Sequence, residues 1–231
     1  MKKKTLILFL FIASITLTTC KKEDKWKLPT DVNFKMDINR SAGAGGNLSF
    51  ANGSIILADF TFDGNRDQAD HVYFNKTYSG GLTVSFDPNN PVPALDFDIP
   101  QGTYNKIRIS FRTFGNVGDE HIAVEGTYKN TSNSNTYPVR FEFEAEEFFD
   151  VVAKSSSGSS SIVLDKDVAS IATIKLDPIY WFQTISTTML DNATLVNVSG
   201  TQTILINDAN NEDIFDLVMD RVDEASEIFF D

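Results

Sequence analysis

Apolar residues recur in this chain at every second position, segment after segment, and that period suits strands rather than helices. Val32, Phe34, Met36 and Ile38 alternate with polar residues. Ile107, Ile109 and Phe111 alternate with Lys106, Arg108, Ser110 and Arg112, and Val139, Phe141, Phe143 and Ala145 with Arg140, Glu142 and Glu144. Each run buries one face and wets the other. Further apolar runs at 54–62, 72–78, 82–86, 95–99, 122–128, 148–153, 161–164, 171–176 and 203–206 bring the total to about a dozen strands. Turn chemistry separates them at Asn52-Gly53, Asp63-Gly64-Asn65, Gly80-Gly81, the DPNNP run at 87–91 and Pro100-Gln101-Gly102. No helical pattern alternates with the strands, which argues against parallel-sheet enzyme folds with helical crossovers. The expectation is an all-β fold: an antiparallel β-sandwich of immunoglobulin- or transthyretin-like type, one domain over residues 31–231.

One stretch departs from period two. Asn210 or Asn211 can cap a helix, Glu212 and Asp213 suit its positive end, and Ile214, Leu217, Val218, Val222 and Ala225 keep helical spacing. This predicts a single C-terminal helix over 211–226, laid on the sheet. Its polar face sets Asp216, Asp220, Asp223 and Glu224 against Arg221, a charge that anionic lipid repels. The SSSGSSS run at 155–161 reads as a loop between strands, with an interdomain linker as the competing reading.

Charge and composition exclude several functions. A formal charge of −12 argues against nucleic acid, whose phosphates are bound by clustered Lys and Arg. One cysteine and two histidines leave no material for a disulfide framework or a thiolate zinc site, and no cofactor is expected. His71 and His121 lie in no nucleophile or metalloprotease motif, so the chain is not expected to be an enzyme. Glu142, Glu144, Glu146 and Glu147 read as a solvated strand edge. Asp63, Asn65 and Asp67 resemble the first half of a calcium loop, but Gln68 and Phe74 stand where such a loop has its glycine and its bidentate glutamate; a polar turn is expected and no metal is assigned. Tyr180-Trp181-Phe182 is a run of three aromatics. Tyr180 and Trp181 are the candidate stacking platform for a sugar, against a core role in a chain with 19 phenylalanines.

The N-terminal residues form a segment of their own. Lys2, Lys3 and Lys4 precede an uncharged run at 5–19, too short for the ~20 residues a membrane-spanning helix needs; it reads as an export signal. Leu17-Thr18-Thr19-Cys20 resembles the lipobox of bacterial lipoproteins, in which the cysteine is lipidated and becomes the mature first residue. Loss of residues 1–19 removes three lysines and takes the formal charge to −15. Residues 20–30 read as a charged tether, in which Lys22-Glu23-Asp24 resembles the tag that sends lipoproteins of the Bacteroidota to the outer leaflet.

Within Asp96–Ile109, Ile99-Pro100-Gln101-Gly102-Thr103-Tyr104 resembles the Ile-Pro-x-Gly-x-Tyr pattern of secreted β-sandwich modules. Taken with the lipobox, Glu125-Gly126-Thr127-Tyr128, Trp181-Phe182 and the closing helix, the chain resembles a family of Bacteroidota β-sandwich lipoproteins without an assigned activity. The lipobox and the tag imply an outer-membrane lipoprotein facing the exterior and touching the membrane through its lipid alone; with no catalytic constellation in the sequence, a non-catalytic binding or adhesion module is expected. A neutral glycan is the ligand expected, since the acidic surface repels uronate-rich or sulfated polymers. The alternatives are a structural envelope or protein-partner component, and a hydrolase with an unrecognised site.

Overall fold

The computed structural model describes residues 24–114 and 118–231. The expected signal segment with Leu17, Thr18 and Thr19, the expected lipidation residue Cys20, and Lys22 and Glu23 of the expected export tag lie outside the described residues; Asp24, the last residue of that expected tag, opens a 3-10 turn, Asp24–Lys27. The folded part begins ahead of the boundary expected at Asp31, because the first strand starts at Pro29.

The first strands are β1 (Pro29–Ile38), β2 (Ala42–Gly43), β3 (Leu48–Arg66), β4 (Val72–Ser85), β5 (Asp96–Pro100), β6 (Gly102–Thr113) and β7 (Ile122–Lys129). They are followed by β8 (Thr136–Phe143), β9 (Phe148–Val152), β10 (Lys154–Ser155), β11 (Ile162–Leu164) and β12 (Ser170–Leu176). The helices α1 (Pro178–Trp181) and α2 (Thr187–Asp191) come next, then β13 (Leu195–Val198), β14 (Thr201–Ile206), α3 (Glu212–Met219) and β15 (Ser226–Phe230). Among the described residues these strands make a five-stranded sheet, β10-β15-β12-β1-β5, and a ten-stranded sheet built on β11-β6-β3-β7-β8-β14-β13, with β2 and β4 on β3 and β9 on β6. The fold is β-rich and sandwich-like.

The alternation read from the sequence is the alternation of burial. Along β1, Val32, Phe34, Met36 and Ile38 point into the core and their neighbours face outward. The phenylalanines bridge the layers. The Phe34 ring on β1 meets Phe60 on β3 at 4.9 Å, and Phe97, Phe74 and Phe62 continue the chain of rings to Tyr104. Each fully buried ring contributes about 1.5–3 kcal/mol by leaving water, with about 0.5–1.5 kcal/mol more from edge-on or offset partners. The core cluster runs from Val32 to Phe230 and draws on both sides of the serine run, whose flanks pair with the two sheets: β10 with β15 and β11 with β6.

The structure corrects several expectations. The arrangement is not purely antiparallel: β1 runs parallel to β12, β10 to β15 and β14 to β8. These partners are far apart in sequence or joined through other elements, so no tight hairpin sets their relative direction. The fifteen strands of the two sheets also exceed the roughly seven to nine of an immunoglobulin sandwich. The C-terminal helix stops at Met219, two turns long, with Ile214 and Val218 buried; Ile228 and Phe230 then fill the core from β15, a strand that pairs with β12.

Three predicted turns lie inside strands, Asp63-Gly64-Asn65 of β3 among them. Asn52-Gly53 sits within β3, where a Cβ on Gly53 would stand 2.2 Å from the Ala123 carbonyl oxygen of β7; the glycine serves close backbone approach. Gly80-Gly81 belongs to a bulge in which residues 78–81 of β4 face Ala58 alone, and Gly81 takes φ +73 to make it. At Pro100-Gln101-Gly102 a turn does form, but it carries the chain from β5 in one sheet to β6 in the other. The Tyr104 hydroxyl locks this corner by donating to the Pro100 carbonyl at 2.6 Å.

A second lock ties α2 to the β7–β8 hairpin. The Asp191 carboxylate accepts the Tyr128 hydroxyl at 2.7 Å, the Thr131 N–H at 2.8 Å and the Ser132 hydroxyl at 2.9 Å, together with the Thr131 hydroxyl. These bonds, that from the Thr131 hydroxyl foremost, hold the Asp191 pKa down to about 2.

Candidate functional site

A wide concavity lies on the open face of the ten-stranded sheet, where β3, β7, β8 and β14 run side by side. Register places Asn52 opposite Glu125, Glu125 opposite Arg140, Thr127 opposite Pro138 and Leu205 opposite Arg140. The β13–β14 hairpin, turning through Ser199 (φ 49) and Gly200 (φ 90), supplies the far wall with Val198, Ser199 and Thr201. The result is a groove of about 510 Å³, continued past Asn52, Glu125 and Arg140 into a second cleft of about 380 Å³ beside Ser54 and Phe86. The twist of a wide sheet makes this concavity, and alternation puts the polar residues of β7 and β8 on its floor.

Arg140 organises the groove electrostatically. Its Nε donates to Glu142, one terminal nitrogen to Glu125 and the other to Glu120, so all three guanidinium nitrogens are engaged. The Arg140 side chain is 23% exposed and Glu142 14%, whereas Glu125 and Glu120 reach solvent at 47% and 42%. Asn207 donates a long bond of 3.4 Å to the second oxygen of Glu142. Three carboxylates face one cation, leaving two negative charges uncompensated. Burial holds the Glu120 carboxyl above its ordinary value, and the Glu142 charge adds to the effect in spite of Arg140.

The residues singled out from the sequence lie elsewhere. Trp181 is fully buried between the layers, 6.3 Å from the Phe141 ring, so it offers no sugar-stacking face and that assignment is corrected. The reason is local: Pro178 and the Asp177 cap start α1 so that Trp181 and Phe182 point inward, and Phe182 meets Phe50 at 5.1 Å. Tyr180 stays at the surface, where the Arg221 guanidinium covers its ring at 4.2 Å.

The calcium-like run is not a loop. Asp63, Gly64 and Asn65 are strand residues of β3, whose alternation sends successive side chains to opposite faces. Asp63 bonds His71 Nε2 at 2.7 Å and Asp67 accepts from Asn105 at 2.9 Å, which corrects the polar-turn reading. Among the described residues no group of three His, Cys, Asp or Glu side chains is placed to hold a metal ion, and no helix is long and apolar enough to cross a membrane.

His121 is buried, with Nδ1 2.8 Å from the Ala145 carbonyl oxygen. His71 lies with Asp63 on the exposed face, so the two histidines share no site. The groove residues were missed because Glu142 and its neighbours read as a solvated edge. Their only sequence signal is the Arg140-x-Glu142 spacing, which sets both side chains on one face of β8; that Glu120 and Glu125 meet them depends on the register of β7. No family model, curated protein or solved structure matches the chain.

Proposed function

We propose that this chain is a lipid-anchored, non-catalytic binding module of the bacterial cell surface, whose groove receives a positively charged segment of a partner protein. The lipobox at Cys20 and the Lys22-Glu23-Asp24 tag support the address, placing it on the outer leaflet of the outer membrane. The observation that carries the ligand class is the excess of carboxylates around Arg140: Glu120 and Glu125 are half in solvent and share one guanidinium with Glu142. A lysine or arginine entering there gains two partly shielded anions, and the acidic surface steers it inward. The neutral-glycan reading rested on Trp181 and is not carried forward.

The test measures binding of oligolysine to the purified chain by titration calorimetry at low and at moderate ionic strength. Binding that weakens with salt, and that the Glu120→Gln, Glu125→Gln double variant reduces at least tenfold, supports the reading. Asp216→Asn on α3 with Asp220→Asn at its C-cap is the charge-matched control. If both double variants weaken binding equally, the attraction belongs to the surface as a whole and the groove assignment fails.

A further inference from the structure

The tether enters the fold at one end of the long strand β3, and the residues gathered there differ from the rest of the surface. Gln101, at the β5–β6 corner, is the hub. Its N–H donates to the Leu28 carbonyl at 2.9 Å, its side-chain amide donates to the Lys25 carbonyl, and its side-chain oxygen accepts the Lys166 N–H at 3.3 Å. Arg66, the last residue of β3, fastens the same point by donating to the carbonyls of Gln101 (3.0 Å) and Trp26. The tether entry, the β5–β6 corner and the turn at 165–168 are therefore one hydrogen-bonded unit.

This unit exposes apolar side chains. Leu28 is 41% exposed, Val168 in the turn 62%, and Val163 on the adjoining β11 66%; Trp26 is half-buried beneath the Lys25 ammonium, 4.3 Å from its ring. Lys25, Lys27 and Lys166 stand among them. The nearby acids are partly engaged within the fold: Asp165 accepts the Asp167 N–H, Asp167 pairs with Lys166, and Asp67 accepts from Asn105. An indole flanked by exposed aliphatics and long cationic stems is the composition that suits a headgroup layer, where the rings and methyls sink and the ammonium groups stay wet.

We infer that this corner is seated on the lipid surface into which Cys20 is anchored. The inference rests on reading Cys20 as lipidated. Chain length carries it: four residue steps separate Cys20 from Asp24, and at about 3.3–3.6 Å each they reach at most ~14 Å. A tether that short holds the entry corner at the headgroups. It also sets the orientation, because β3 runs from Arg66 at the corner to Asn52 in the groove. These fourteen residue steps, at about 3.3 Å each, cover roughly 46 Å along the strand. The groove is thereby carried away from the lipid toward an approaching partner.

The test uses the full lipidated chain in vesicles of phosphatidylethanolamine and phosphatidylglycerol that contain dibrominated phosphatidylcholine as a quencher. The chain has two tryptophans: Trp181 is sealed in the core and serves as the internal reference, and Trp26 reports on the corner. Emission from Trp26 is expected to shift to the blue and lose most of its intensity, and Trp26→Phe to abolish the quenching. Leu28→Glu with Val168→Glu, both at exposed positions, is expected to restore the emission while the protein still floats with the vesicles. A chain that floats with the vesicles but whose Trp26 emission is unchanged by bromine overturns the seated corner and leaves the anchor intact. A chain that does not float overturns the anchor and the seating with it.

Discussion

Replacing Arg140 by methionine removes the cation on which three carboxylates converge while keeping most of the aliphatic stem that packs on β7 and β8. Exposure ranks the three pairs. Solvent screens those to Glu120 and Glu125, at 42% and 47% exposure, to about 0.2–1 kcal/mol each. The charge-assisted bond to Glu142, 14% exposed, is worth about 1.5–3 kcal/mol. Arg140→Met should therefore lose about 2–5 kcal/mol at pH 7, and Glu142→Gln should cost more than Glu125→Gln. The pH dependence has a definite sign. Without the guanidinium, the Glu120 carboxyl, raised by burial and by the Glu142 charge, loses the Arg140 charge that lowers it and stands further above its unfolded value. The folded variant then binds protons more readily than its unfolded chain, so its stability falls as pH rises through that interval. Glu120, held high by burial and by Glu142 even in the intact protein, already shows the direction. Urea denaturation at pH 7 and at pH 4 measures the gap between variant and parent, which should narrow markedly at pH 4. An equal loss at both pH values would refute the electrostatic argument and assign the effect to packing; no loss at pH 7 would show that the cluster contributes nothing to the fold.

Two further substitutions probe the core and the α2 lock. Trp181→Ala should cost about 3–5 kcal/mol as a cavity in the core. Trp181→Phe should be close to neutral in thermal denaturation, because the buried indole N–H has no partner among the described residues and its removal relieves about 1–3 kcal/mol of desolvation, offsetting the smaller void. Asp191, depressed to about 2 from an ordinary 3.8, stabilises the fold above pH 4 and loses that contribution as pH falls through about 2; urea midpoints for Asp191→Asn should show a flatter acid limb between those values, and an unchanged slope would remove Asp191 from the lock.

What the sequence determined by itself was the set of local, periodic features. Val32 to Ile38, Ile107 to Phe111 and Val139 to Phe143 could only be half-buried strands, because period two fixes which side chains share a face whatever the neighbours are. The DPNNP run is a turn for an equally local reason: the Asp87 carboxylate accepts the Asn89 N–H at 2.7 Å and the Asn90 amide at 2.8 Å. Pairing was decided by tertiary structure. Asn52-Gly53 and Gly80-Gly81 carry turn propensity, yet β3 continues through the first pair and β4 through the second, since the ladder offered by β7 at the first and the β3 ladder on either side of the second outweigh a local preference of a kilocalorie or so. Val222 and Ala225 keep helical spacing, but the last residues gain more as β15, where Ile228 and Phe230 fill the core beside β12. Trp181 is an aromatic in any reading; only its position under Phe141 decides that it is sealed from ligands. Glu120, Glu125, Arg140 and Glu142 come from two strands and a loop, and a register shift of one residue in β7 would send Glu125 to the opposite face. The groove is for that reason a property of register, which depends on contacts between distant segments and leaves no mark in the local period of either strand.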